Sequence, residues 1–201
     1  MPFDLISDSK DDYTLRIGFI NEELPILQDF NSLWEQLKAD NNCTRNYNNH
    51  VATWYGNVDY AYTGVRHHAQ SWHPEFEELA RTLDKELGFQ EGYFNCLLAN
   101  LYTGKGIAPH SDDEEIFIKN DGTIGAVATI SLGGTAIATI TNKNHHERDP
   151  LKLRLRDRSC YVMPEGNFQS NYKHQVSKPE ASNPHRISLT FRHIPRQHPP
   201  L

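Results

Sequence analysis

Two kinds of side chain set the chemistry this sequence can do: a few that can hold a metal, and a few that can hold an anion beside it. His110-Ser111-Asp112 places an imidazole and a carboxylate two positions apart, and on extended backbone such side chains point to the same side. In a chain with 11 histidines a triplet of this type arises readily by chance, and His73-x-Glu75 and His145-x-Glu147 are comparable patterns. The first is set apart by the residues downstream of it. His174 comes after a further strand-like run, and then Arg186-Ile-Ser188-Leu-Thr-Phe-Arg192, a β-forming segment with an arginine at each end. Period two puts Arg186, Ser188 and Arg192 on one face.

Two histidines and one carboxylate on one side of an octahedral metal leave three positions open, the donor set of non-haem iron oxygenases. An arginine fixed on a strand grips a carboxylate bidentately, so Arg186 suits the far end of a dicarboxylate co-substrate better than a flexible lysine would. Asp113 and Glu114 directly follow the metal carboxylate. They can meet a cationic group that carries a donor, or they can merely solvate a loop. Trp54, Tyr60 and Tyr62 can form a lid that stacks on a planar ligand, although aromatic strand residues are more often core. The doublets His67-His68 and His145-His146 have no third partner at ligand spacing and read as solvated loops. Lys152, Arg154, Arg156 and Arg158 alternate along one strand face, which suits a phosphate backbone and a solvated edge strand equally.

These side chains need a β-rich frame. Leu24, Leu27, Phe30, Trp34 and Leu37 predict an amphipathic helix over 24–38, with Pro25 in its first turn. Pro74 opens a second, Phe76, Leu79, Ala80, Leu83 and Leu87 form its buried face, and Gly88 closes it. From there the pattern changes to short β-forming runs: Tyr93–Tyr102, Thr123–Leu132, Thr135–Thr141, Leu151–Arg156, Ser159–Met163 and Arg186–Arg192. Gly133-Gly134 signals a tight hairpin, and Leu151, Leu153 and Leu155 alternate with basic residues as a half-buried strand does. The expected frame is a β-sandwich with helices packed outside it, and with 141–150 and 177–184 as loops.

Taken together, Asn100-Leu-Tyr102, His110-Ser-Asp112-Asp113-Glu114, His174 and Arg186-x-Ser188-Leu-Thr-Phe-Arg192 resemble the AlkB family of nucleic-acid dealkylating dioxygenases, in the same order and from about Trp54 to Arg192. The resemblance implies a mainly β fold with flanking helices. A double-stranded β-helix (jelly-roll) core would occupy about 93–194, and N-terminal helices and a nucleotide-recognition lid about 1–92, in a single domain. It implies Fe(II) on His110, Asp112 and His174, 2-oxoglutarate contacts from Asn100, Tyr102, Arg186, Ser188 and Arg192, and O2 as oxidant. The activity it implies is oxidative demethylation of 1-methyladenine- or 3-methylcytosine-type bases in RNA or single-stranded DNA, releasing succinate, CO2 and formaldehyde. Substrate contacts would fall to Asp113, Glu114, Trp54, Tyr60 and Tyr62. Many relatives carry Asn where this chain has Ser188; a hydroxyl still donates to a carboxylate, so altered co-substrate affinity is expected rather than lost binding. Similar domains occur inside plant RNA virus replicases, and the HSDDE string is as much like those as like cellular enzymes.

Composition narrows the setting. A chain of 201 residues has room for one domain with a closed pocket. No run approaches the roughly 20 apolar residues that cross a membrane, and the acidic N-terminal stretch lacks a targeting pattern. Cys43, Cys96 and Cys160 are scattered, which points to a reducing, intracellular compartment and away from disulfides. A net charge of −6 disfavours tight duplex binding by charge alone and favours single strands, where stacking contributes more. A monomer with no membrane partner is expected. Other classes stay open: a 2-oxoglutarate-dependent hydroxylase of a protein or small molecule, or a non-catalytic nucleic-acid-binding module on the same fold. A cupin-like protein with non-oxidative chemistry would give Arg186 and Arg192 no reason to face the metal.

Overall fold

Alternation of apolar and polar residues decides where each strand lies. The computed structural model of the chain describes residues 3–7, 13–20, 29–40, 51–62 and 64–195. In chain order they form β1 (Phe3–Ser7), β2 (Thr14–Phe19), α1 (Phe30–Ala39), β3 (Val51–Tyr55), β4 (Tyr60–Tyr62), β5 (Val65–His67) and α2 (Pro74–Leu87). Then come β6 (Cys96–Thr103), β7 (Ile107–His110), β8 (Val127–Gly133), β9 (Ala136–Asn142), β10 (Leu151–Leu155), β11 (Ser159–Met163), α3 (Phe168–Asn171), β12 (Tyr172–Val176) and β13 (His185–Arg192). A large sheet has the order β1-β2-β11-β8-β13-β6-β3, a small one β10-β9-β12-β7, and β4 and β5 form a separate hairpin. This is the jelly-roll sandwich with outer helices.

Strand β13 shows how the layers arise. Ile187, Leu189 and Phe191 point one way and Arg186, Ser188, Thr190 and Arg192 the other, and all of them are buried. A strand covered on both faces belongs inside a layered structure. Its apolar side meets Leu33 and Leu37 of α1 and Phe76, Leu79 and Leu83 of α2. Its polar side looks toward the small sheet, and a second apolar cluster, with Ile140, Leu153, Tyr161 and Met163, packs between the sheets.

The structure corrects several expectations. The first helix starts at Phe30, because the Asp29 side chain accepts the Asn31 and Ser32 N–H groups at 3.0 and 3.1 Å and caps it there; Leu24, Pro25 and Leu27 lie outside the described residues. Gly133-Gly134 is not a hairpin turn: β8 and β9 belong to different sheets. The pair instead makes the corner between them, with Gly133 at φ 81° and no room at Gly134 for a Cβ beside the Asn183 carbonyl. The stretch 1–92 is not only helix and lid, since β2 pairs with β11 and β3 with β6 in the large sheet. Cys96 and Cys160 are buried free thiols, and burial pushes Cys96 up to about 12. Among the described residues no helix is long and apolar enough to cross a membrane.

Helix α2 is tied to the sheet by one buried carboxylate. Asp84, 2% exposed, accepts the N–H groups of Gly92, Tyr93 and Phe94 at 2.8, 3.2 and 3.0 Å, fixing the turn that enters β6. Asp84→Ala leaves three donors without an acceptor. The expected loss is about 3 kcal/mol in a denaturant melt; a change below about 1 kcal/mol would mean that water replaces the carboxylate.

Candidate active site

Strands β7 and β12 are neighbours in the small sheet, and their register sets His110 opposite His174, with ring centroids 4.2 Å apart. His174 lies within a strand and not beyond one: Tyr172, His174 and Val176 are buried while Lys173 is exposed. Asp112 comes two residues after β7 ends, and its Oδ1 is 3.7 Å from His110 Nε2. One ligand atom from each of His110, Asp112 and His174 lies within 4.8 Å of the others. Two imidazoles and a carboxylate at that spacing suit a six-coordinate divalent metal with free positions.

The protonation states fit the same use. His110 Nδ1 is 2.9 Å from the Ala108 carbonyl oxygen, a contact the Nδ1–H tautomer satisfies, which leaves the Nε2 lone pair for a metal. Burial brings His174 down to about 4, so it is neutral at pH 7. Burial opposes the charge on Asp112, but Arg192 donates Nε to Oδ2 at 3.1 Å and Nη2 to Oδ1 at 2.9 Å and holds the carboxyl well below its usual range.

His110, Asp112 and His174 line a cavity of about 310 Å³. Its wall on the large sheet is set by register: Ser188 lies beside Asn100, Thr190 beside Thr129, and Thr129 beside Tyr161, and all five side chains reach the cavity. Tyr102 and Arg192 line it too. Arg186 does not; it lies 2% exposed with its guanidinium 5.5 Å from the Tyr102 ring centroid, Nε donating to Ser131 Oγ at 2.8 Å and Nη2 buried without a partner. Arg192 Nη1 is likewise buried and unpartnered. Orphaned cationic donors on the sheet that forms this wall suit an anion with two carboxylates.

The residues expected at the substrate fare differently. Tyr60 lines the cavity and its hydroxyl donates to Glu114 Oε1 at 2.8 Å; Glu114 stands behind it, its carboxyl raised by burial and its Oε2 without a partner. Asp113 is not brought to the cavity: its side chain is 53% exposed and 3.6 Å from Lys143 Nζ. Trp54 is fully buried, its Nε1 bonded to the Val58 carbonyl and its ring stacked 4.7 Å from that of Tyr60, so it supports the wall from behind. The Tyr62 side chain lies outside the described residues. His67 is no loop residue. It sits 5% exposed in β5, stacked on Tyr60 at 5.8 Å and lining the cavity. Asp59 fastens this hairpin by accepting from Arg66 Nη2 at 2.7 Å and Ala69 N at 2.9 Å. His145 pairs with Glu147 on the surface at 3.0 Å. The basic stripe shrinks to Lys152 and Arg154, because β10 ends at Leu155, and Arg154 is paired with Glu180 at 3.0 Å. Thr129, Tyr161 and Thr190 carry no ligand signal in the sequence, although Thr190 continues the period-two face of Ser188.

A larger cavity, about 770 Å³, opens by Tyr13, Phe89 and His145; it shares no lining residue with the His/Asp/His site. Chemistry, not size, selects the smaller one.

The family model of the 2OG-Fe(II) oxygenase superfamily matches residues 31–192. The chain is 31% identical over 134 residues to an RNA replication protein of Grapevine virus A (isolate Is 151), covering 67% of this chain and 7% of that protein. It is 32% identical over 133 residues to an RNA replication polyprotein of Apple stem pitting virus (isolate PA66), covering 66% of this chain and 5% of that protein. The chain therefore matches only a small part of the length of these relatives. Among solved structures it is similar to that of OsALKBH1, with a TM-score of 0.63, 16% identity, and coverage of 88% of this chain and 97% of that one.

Proposed function

The chain belongs to the 2OG-Fe(II) oxygenase superfamily, as a dioxygenase with an AlkB type of fold that uses Fe(II), 2-oxoglutarate and O2, and from that premise we propose that it demethylates N-methylated bases in RNA or single-stranded DNA, with His110, Asp112 and His174 as iron ligands. The observation that carries the ligand assignment is their convergence within 4.8 Å on the wall of one cavity. Bound there, iron and 2-oxoglutarate supply the oxidising chemistry, in which O2 converts the keto acid to succinate and CO2 and hydroxylates a C–H bond. This chain's residues position the partners. Arg192 holds Asp112 as a carboxylate, the far carboxylate of the co-substrate is directed toward Arg186, which lies behind Tyr102, and Asn100, Tyr102 and Ser188 flank it. On an N-methyl group the product is a hydroxymethylamine, which releases formaldehyde and the free base.

One feature supports a nucleic-acid base as substrate. Glu114, directly behind Tyr60, has one buried carboxylate oxygen with no partner, and bases methylated on a pairing ring nitrogen are cationic with an amino donor beside it. RNA is favoured because the relatives are RNA replication proteins and because a chain of net charge −6 has little general attraction for a duplex. We place the protein in a reducing intracellular setting, acting as a monomer. The test is succinate and formaldehyde release on matched single-stranded RNA, single-stranded DNA and duplex DNA carrying 1-methyladenine or 3-methylcytosine. Turnover is expected on single strands, RNA foremost. Co-substrate decarboxylation stimulated only by a peptide or small molecule would replace the base with that substrate, and duplex preference would overturn the strand assignment. Glu114→Gln is expected to lower kcat/KM on 1-methyladenine about 10-fold, the worth of one charge-assisted contact, while an uncharged N6-methyladenine substrate changes less; equal effects on both would remove charge recognition from Glu114.

A further inference from the structure

We infer that Gln169 is a positioning residue for the metal carboxylate, acting through the backbone of Asp112; this rests on His110, Asp112 and His174 being the metal ligands. Strand β7 ends at His110, so Asp112 lies beyond the ladder that fixes its neighbour. Two buried hydrogen bonds take the ladder's place. Ser111 Oγ donates to the Tyr172 carbonyl at 2.8 Å, and the Asp112 N–H donates to Gln169 Oε1 at 3.0 Å. The first ties the triplet to β12, two residues before His174. The second ties it to α3, the turn that leads into the same strand.

Gln169 is built for one orientation. It is 1% exposed, and its Nε2 donates to Met163 Sδ at 3.5 Å, which leaves Oε1 to face Asp112. Its own carbonyl accepts from Lys143 Nζ at 2.8 Å, and Lys143 is 3.6 Å from Asp113. The turn thus engages the chain at Asp112 and again, through Lys143, at Asp113. A buried amide is costly unless its polar atoms are matched, and a methionine of similar length would fill this place without that demand. What glutamine adds is an acceptor aimed at one N–H. Holding that peptide fixes the direction from which the Asp112 carboxylate approaches the two imidazoles, and groups that orient a metal ligand in this way are typically worth about 10- to 100-fold in metal affinity.

The test reads metal binding and not turnover. Wild type, Gln169→Met, Gln169→Glu, Gln169→Asn, His174→Ala and Asp84→Ala are titrated with Mn(II) at a temperature where each is folded, and the absorption spectra of their Co(II) forms are compared. Gln169→Met is expected to bind Mn(II) about 10-fold more weakly or worse, with shifted Co(II) bands. Gln169→Glu keeps an acceptor for the Asp112 N–H and recovers most of the loss. Asp84→Ala, weakened on the outer side of the large sheet, keeps wild-type affinity, which separates positioning from general loss of stability. Wild-type affinity and spectrum in Gln169→Met overturn the inference. Failure of wild type to bind Mn(II), or unaltered binding in His174→Ala, overturns the ligand assignment instead. Where Gln169→Met does not fold, Gln169→Asn decides, since its shorter amide withdraws the acceptor from the Asp112 N–H: weaker Mn(II) binding supports the inference and wild-type binding overturns it.

Discussion

Asp112→Ala is expected to lower succinate formation at least about 1,000-fold, some 4 kcal/mol of lost transition-state stabilisation, because the proposed metal site loses its anionic ligand. It should also do something that His174→Ala does not. Arg192 is 5% exposed and grips Asp112 with two hydrogen bonds, so the alanine leaves a guanidinium buried without its counter-charge. Breaking such a pair costs about 3 to 5 kcal/mol. The metal-free Asp112→Ala protein should therefore melt well below wild type, whereas His174→Ala, which removes a neutral ring, loses activity with a smaller drop. The pH dependence has a definite sign. Asp112 is held below its unfolded value, so the pair's contribution to apo stability is fully present above the ordinary carboxylate range and fades as the pH falls below it. Equal melting curves for metal-free wild type and Asp112→Ala would contradict the ion pair.

Much of this centre could be read from residue order because its parts are local. The H-x-D triplet and the alternation from Arg186 to Arg192 are periodicities of two over a few residues, and the structure keeps both. Strand β12 is hidden in the sequence because Tyr-Lys-His-Gln-Val alternates over too few residues to stand out, and only its pairing with β7 and β9 makes it a strand. Gly133-Gly134 marks a sharp change of direction correctly, but glycine chemistry does not say whether the next strand returns beside the last or crosses to the other sheet. Strands β2 and β3 find their partners more than 40 residues downstream, at β11 and β6, beyond the reach of any local pattern. The lid aromatics illustrate the same limit. Trp54 is opposite Leu98 in the register, and that placement, together with Tyr60 stacked over it, turns an apparent stacking platform into a buried support. Gln169 carries no signal in the sequence at all, since its importance lies wholly in which N–H it meets.

Arg186→Met is expected to raise the KM for 2-oxoglutarate about 100-fold, near 3 kcal/mol, with a smaller change in kcat at saturating co-substrate. Arg186 is 2% exposed, and among the described residues no carboxylate pairs with it; Ser131 takes its Nε, its guanidinium lies over the Tyr102 ring, and Nη2 has no partner. An unpaired cation in that position costs folding energy, and burial lowers its pKa accordingly. Such a group is tolerated where an incoming anion completes it. Removing the charge should therefore leave the metal-free protein as stable as wild type or more so, the opposite of what a structural arginine would show. Adding 2-oxoglutarate should raise the melting temperature of wild type and have little effect on the variant, because a ligand stabilises only the protein that binds it. Arg186→Lys keeps the charge but not the two-pronged donor, and about a tenfold rise in KM is expected for it. A variant that melts early yet binds 2-oxoglutarate normally would move Arg186 from the co-substrate site to the core.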